Sequence, residues 1–268
     1  MRSNEQGATS QGEIVVAKIG GSTLGSHDTT LADVVELKRR GIRPVVVHGG
    51  GSLISEWLAR HNVETRFERG LRVTDEESLR VVVAVLAGLL NKQIVASLMA
   101  LGENAIGLSG ADGGLLRARV LDPKLGFVGE IKGVQTAALT SRLDEGAIPV
   151  IAPIAVQWDG ERPTGQLLNV NADAAAGGIA AAMGARWLVF LTDVGGVQST
   201  QGDVLSHLVP DDAESLMGSG VIEGGMIPKV QACLAAARAG CQSVILDGRE
   251  EHALMQAIYG QVAGTVVG

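Results

Sequence analysis

Short runs rich in β-branched residues alternate with helical segments along this chain, and no other feature limits its fold as tightly. Val15–Ile19, Pro44–His48, Pro149–Pro153, Trp187–Thr192 and Ser243–Leu246 read as strands, each bounded by glycine, proline or another turn residue. Between them, Leu31–Arg40 stops at Gly41, Ser52–Arg60 starts on a serine placed to cap it, and Asp75–Leu101 is a long segment closed by Gly102. Asn171–Met183 and Pro228–Ala239 end at Gly184 and Gly240. This alternation predicts an α/β fold with a largely parallel sheet and helices on both of its faces. The turn at Gly184 divides it into an N-terminal lobe, 14–184, and a C-terminal lobe, 185–268. The polar lead-in 1–13 is expected to stay out of the fold as a disordered segment.

Composition narrows the function. The 268 residues, 46% hydrophobic and 19% charged, suffice for a large core. The longest uncharged apolar run, Val81–Leu90, is about half the ~20 residues a bilayer-spanning helix needs, so no membrane span is expected. A formal charge of −7 argues against a nucleic-acid footprint, and any site for a small anion has to be built locally. Cys233 and Cys241, the only two cysteines, cannot make a disulfide framework and have no histidine cluster beside them. They point to a reducing cytoplasm and give no metal site.

The glycines suggest where such an anion binds. In an open parallel sheet, ligands sit beyond the carboxyl ends of strands, where loops turn into helices with unpaired first N–H groups. Val45–His48 runs into Gly49, Gly50 and Gly51, which predicts a cradle of backbone donors with no Cβ in the way. Val16–Ile19 likewise runs into Gly20 and Gly21, with Lys18 one residue before the strand's end. Either turn alone could simply be tight; together with a lysine they favour a phosphate. Neither a GxxxxGK[ST] loop nor a GxGxxG fingerprint after a strand is present.

Six segments, "AKIGGS", "VVVHGGG", "RGLRVTDEE", "LLNVNADAAA", "LTDVGGV" and "GGMIPKV", occur in an order and spacing that resemble the amino acid kinase family, from about Glu13 to the C-terminus. Within it they look like the branch that phosphorylates N-acetyl-L-glutamate. The resemblance implies a three-layer αβα sandwich with a central, mainly parallel sheet. It also implies transfer of the γ-phosphoryl of ATP, with Mg2+, to the side-chain carboxylate of the acyl amino acid, as in arginine biosynthesis. A lysine-pathway kinase acting on carrier-linked aminoadipate, or a catalytically silent amino-acid sensor, would share the fold.

Residue by residue, the resemblance assigns Lys18 and Lys229 as the catalytic lysines and Asp173 as the aspartate that holds them. Taken alone, Asp173 reads as a first-turn acid, and Asn171 as a helix N-cap. Asn169, Arg72, Gly49 and Gly50 match the amino-acid side; the planar fork of Arg72 suits a carboxylate. Gly20, Gly21, Thr192, Asp193, Gly196, Gly224, Gly225 and Met226 match the nucleotide side. No metal ligand is identified, because the ion is expected on phosphates and water. The long Asp75–Leu101 segment, apolar around most of its circumference, needs cover on two sides; the resemblance implies that it pairs with its twin across the two-fold axis of a homodimer. Arginine-sensitive members add an interlacing N-terminal helix that the polar residues 1–13 do not resemble, so insensitivity to arginine is expected.

Overall fold

A computed structural model describes residues 12–20, 29–68, 70–260 and 264–268. The lead-in up to residue 11 and Gly21 lie outside the described residues.

All the expected strands fall in one eight-stranded sheet. Its order is His207–Leu208, Gly264–Val267, Gln242–Asp247, Trp187–Thr192, Ile14–Ile19, Arg43–His48, Ile148–Ala152 and Ala105–Ser109. Every neighbouring pair is parallel except Gly264–Val267 against Gln242–Asp247. Alternate residues feed opposite cores, as a period of two requires. Val16, Val47, Phe190 and Ile245 enter one core, whereas Val15, Ala17, Val46 and Val189 enter the other. The first core is covered by helices Ala137–Asp144, Ala172–Met183 and Met226–Arg238, the second by Thr30–Arg39, Gly51–Arg60, Glu76–Ala100 and Ala253–Tyr259. These are the three layers of an αβα sandwich.

Two features of the covering layers bear on the site. Helix Ala172–Met183 lies close on Met226–Arg238 because of Gly177, where a Cβ would stand 2.8 Å from the Cβ of Ala232. Helix Glu76–Ala100 is capped by Asp75, whose carboxylate accepts from Ser78 N–H at 2.8 Å, and it widens to π-helical turns over Ala84–Leu90. By length and composition alone this helix could cross a membrane, with a mean hydropathy of 1.9, which the uncharged run did not register. Its stripe of Val82, Val85, Leu86, Ile94 and Leu98 nevertheless sits in the second core against the sheet.

One expectation is corrected, and one part of the fold was not expected. Helix Gly51–Arg60 begins one residue before Ser52, with Gly50 at the cap position and no side-chain cap. The strands Leu116–Val120, Val128–Val134, Ile154–Asp159 and Arg162–Val170, unread in the sequence, close into a four-stranded barrel beside the first core. Leu116–Val120 does alternate apolar Leu116, Ala118 and Val120 with Arg117 and Arg119, but over only five residues, and in Val128–Val134 the glycines Gly129 and Gly133 interrupt the alternation.

Candidate active site

Asp173 is the centre of the site. Asn171 caps its helix, its side chain accepting from the N–H groups of Asp173 at 2.8 Å and Ala174 at 3.0 Å. That cap fixes Asp173 in the first turn, buried at 4% exposure. Lys18 lies on the same strand face as Val16 and so meets this helix: its Nζ is 2.9 Å from Asp173 Oδ1. Lys229, from the first turn of Met226–Arg238, places its Nζ 3.2 Å from Oδ2 and donates to the Gly225 carbonyl at 3.1 Å. The Lys18 contact is an ion pair without hydrogen-bond alignment, since Oδ1 has no hydrogen-bond partner. One buried carboxylate between two ammonium groups leaves an excess positive charge, an arrangement suited to a polyanion.

The opposite wall comes from the hairpin Phe67–Glu68 and Leu71–Arg72. Arg72 is buried, and its guanidinium lies 4.7 Å from the centre of the Phe67 ring. It donates to Gly51 O at 2.9 Å, Ser55 Oγ at 2.8 Å and Thr65 Oγ1 at 3.4 Å. Burial pulls its pKa below the ordinary arginine value, yet the group stays charged at neutral pH. Asn169 Nδ2 donates to Thr74 Oγ1 at 3.1 Å, and Thr74 passes the bond on to the Arg72 carbonyl at 2.9 Å. Lys18, Gly50, Arg72, Leu86, Asn169 and Asp173 all line one cleft of about 190 Å³. Ser55, Thr65, Phe67 and Thr74 went unread in the sequence because each supports Arg72 or Asn169 only through the folded hairpin.

The glycine cradle is smaller than its sequence suggested. Gly49 N–H donates to Ile19 O at 2.9 Å and Gly20 N–H to Leu191 O at 3.1 Å, so both amides extend the sheet. The amides of Gly50 and Gly51 have no acceptor among the described residues. At Gly50 the missing Cβ also makes room for Leu86, whose Cδ2 would lie 2.7 Å away.

The remaining expected residues lie on two turns, one after Trp187–Thr192 and one before Met226–Arg238. Thr192 Oγ1 bonds both the N–H and the carbonyl of Val194 at 3.0 Å, shaping the turn after its strand. Asp193 is exposed, with its carbonyl held by Arg249 at 2.9 Å. Gly196 is buried at φ 149°, where a Cβ would lie 2.6 Å from Thr265 Oγ1, so its glycine is required by packing. Gly224, at φ 54°, and Gly225 precede Met226, the first residue of the helix that carries Lys229. Among the described residues no group of three or more histidine, cysteine, aspartate or glutamate side chains could hold a metal.

Comparison with known proteins accords with this geometry. The pattern of the amino acid kinase family matches residues 13–247. The acetylglutamate kinase of Dehalococcoides mccartyi strain BAV1 is 44% identical over 260 residues, covering 96% of this chain and 95% of that protein. The N-acetylglutamate synthase of Neisseria gonorrhoeae, solved with coenzyme A and N-acetyl-glutamate, superposes with a TM-score of 0.80 at 27% identity, over 96% of this chain and 59% of that one. Carbamate kinase from Giardia lamblia shares the fold at a TM-score of 0.69 and 16% identity, over 96% and 98% of the two chains. The chain belongs to the amino acid kinase family.

Proposed function

We propose that this protein is an acetylglutamate kinase, transferring the γ-phosphoryl of ATP to the side-chain carboxylate of N-acetyl-L-glutamate, a step of arginine biosynthesis. The observation that carries this reading is Asp173 set between Lys18 and Lys229, in a chain 44% identical to a protein of that name.

The chemistry follows from charge. A carboxylate is already ionised near neutral pH, so the nucleophile needs no general base. What the protein has to supply is alignment of two anions and neutralisation of the charge that builds on the transferred group. Lys18 and Lys229 approach that group from different elements and stabilise its oxygens, while Asp173 holds their ammonium groups in place without cancelling both charges. The Gly50 amide adds a donor, Arg72 pairs with a carboxylate of the acyl amino acid, and Asn169 contacts its α-substituents. The turns at Thr192–Gly196 and Gly224–Met226, with Gly20 and Gly21, hold the nucleotide. Mg2+ accompanies ATP and lowers the charge of its phosphates. The ion would be carried by phosphates and water, and no residue of this chain is assigned as its ligand.

In this reading, residues 14–184 form the amino-acid lobe and 185–268 the nucleotide lobe, and the partly exposed side of helix Glu76–Ala100 pairs two copies. The buried thiols, with burial pushing Cys241 up to about 12 and Cys233 higher still, fit a reducing cytoplasm. ADP release from ATP is the test. It should depend on N-acetyl-L-glutamate and be far slower with free glutamate or with a carrier-linked aminoadipate. Equal rates with the last would move the assignment to the lysine-pathway kinase, and no release with any acceptor would leave a sensor.

A further inference from the structure

No helix or strand dictates the direction of the Gly49–Gly50 peptide. Gly49 N–H is tied to the sheet through Ile19, and the Gly50 carbonyl starts the next helix by accepting from Ile54 N–H at 2.9 Å. The peptide between them joins two glycines, so no Cβ opposes its rotation. In a trans peptide the carbonyl of one residue and the N–H of the next point in opposite directions. Whatever holds the Gly49 carbonyl therefore aims the Gly50 amide.

His48 holds it. Its ring is fully buried, with Nδ1 3.0 Å from Gly49 O and Nε2 3.3 Å from Asn91 Nδ2. The Asn91 amide has only one workable orientation. Its nitrogen donates to Val150 O at 2.9 Å and shares its second hydrogen between Leu108 O and His48 Nε2, each at 3.3 Å, and its oxygen accepts from Lys92 Nζ at 3.0 Å. A nitrogen donor facing Nε2 leaves a lone pair on that atom, so the ring proton sits on Nδ1 and is donated to the Gly49 carbonyl. The ring is neutral: burial first, then the nearby Lys92 charge, hold its pKa at about 4. Gly107, on the edge strand Ala105–Ser109, leaves the space this amide occupies, since a Cβ there would stand 1.9 Å from Asn91 Oδ1.

We infer that His48, oriented by Asn91, is a positioning residue that keeps the Gly50 amide directed into the cleft toward the transferred phosphoryl group. The inference rests on the kinase reading for the identity of the anion. It does not rest on that reading for the direction of the peptide. His48 touches no substrate; it acts through the peptide it holds.

Three variants of the full-length chain separate this role from simple core packing. In His48→Asn, the amide nitrogen replaces Nδ1 and keeps the bond to Gly49; in His48→Gln it replaces Nε2 and loses it; His48→Leu removes both. Losing one pre-aimed donor to a developing charge costs about 100-fold in kcat. His48→Gln and His48→Leu should show that loss with the KM for ATP unchanged, and His48→Asn should recover at least about tenfold of it. Equal kcat in the Asn and Gln variants, or wild-type kcat in His48→Leu, overturns the inference. Should His48→Leu not fold, the Asn and Gln pair decides. Should the wild type fail to phosphorylate N-acetyl-L-glutamate, the functional reading falls, and crystal structures of the same pair then decide the inference alone. A Gly49–Gly50 peptide rotated in the Gln variant but not in the Asn variant supports it, and the same orientation in both overturns it.

Discussion

At the scale of single residues, the site combines groups that are costly to bury with neighbours that make the burial tolerable. Lys18 was legible because a lysine inside a β-branched strand is unusual. Asp173 and Lys229 were legible only through the family resemblance, since a first-turn acid and a helix lysine are unremarkable on their own. If Lys18 acts mainly on the moving phosphoryl, Lys18→Ala should lower kcat by roughly 100-fold or more with little change in either KM; steady-state kinetics showing an unchanged kcat would remove it from the mechanism. His48 yields a second prediction, with a defined sign. Its pKa falls from 6.5 to about 4 on folding, so the folded protein binds fewer protons at this ring than the unfolded chain does. The stability it contributes is complete above pH 6.5 and is lost as pH falls toward 4, by roughly 3 kcal/mol in all. The difference in urea-unfolding free energy between wild type and His48→Asn should shrink over that window, and a flat difference contradicts the buried neutral ring. His252, held by Asp33 at 2.7 Å, has a raised pKa and acts with the opposite sign: its contribution is present at low pH and lost as pH rises through its folded pKa. The comparison with His48→Asn cancels it.

At the scale of elements, periodicity disclosed the sheet and the helices covering it, because runs such as Trp187–Thr192 are apolar on both faces and end at clear turns. It was not followed into the small barrel, where Leu116–Val120 alternates over only five residues and glycines interrupt Val128–Val134, and it gave no sign of the π-helical turns at Ala84–Leu90. The start of Gly51–Arg60 was misplaced because a serine after glycines looks like a cap, whereas the helix begins bare. Close helix approach yields the element-scale prediction. At Gly177 a new Cβ would meet the Cα and carbonyl of Ala232 at 3.0 Å as well as its Cβ, and backbone cannot step aside as a side-chain end can. Gly177→Ala should therefore destabilise the fold by about 1–3 kcal/mol, despite alanine's better helix propensity, and should loosen the helix that carries Lys229. A melting temperature equal to or above wild type would show that the two helices separate at little cost.

For the molecule as a whole, the strand carrying Lys18 lies at the junction between the two halves of the sheet. Arg43–His48 on one side leads to Gly50 and the cleft that Arg72 lines, and Trp187–Thr192 on the other leads to the turn that carries Asp193 and Gly196. That placement makes the cleft a product of the whole chain, so sequence order alone could not show which residues meet in it. Helix Glu76–Ala100 buries one stripe and leaves Met99 59% exposed at its end, and the account predicts a homodimer in solution. Light scattering should give twice the 27.6 kDa of one chain; a fully active species at the monomer mass contradicts pairing through this helix.

The central claim is that the γ-phosphoryl of ATP passes to a side-chain carboxylate at the Lys18–Asp173–Lys229 centre, which makes the product an acyl phosphate. Hydroxylamine captures such a product as a hydroxamate, so the decisive measurement is hydroxamate and ADP formed together from N-acetyl-L-glutamate and ATP. The account predicts equal amounts of the two with wild-type protein and strong loss of both in Lys18→Ala. ADP without hydroxamate, or hydroxamate formation undiminished in Lys18→Ala, would contradict it.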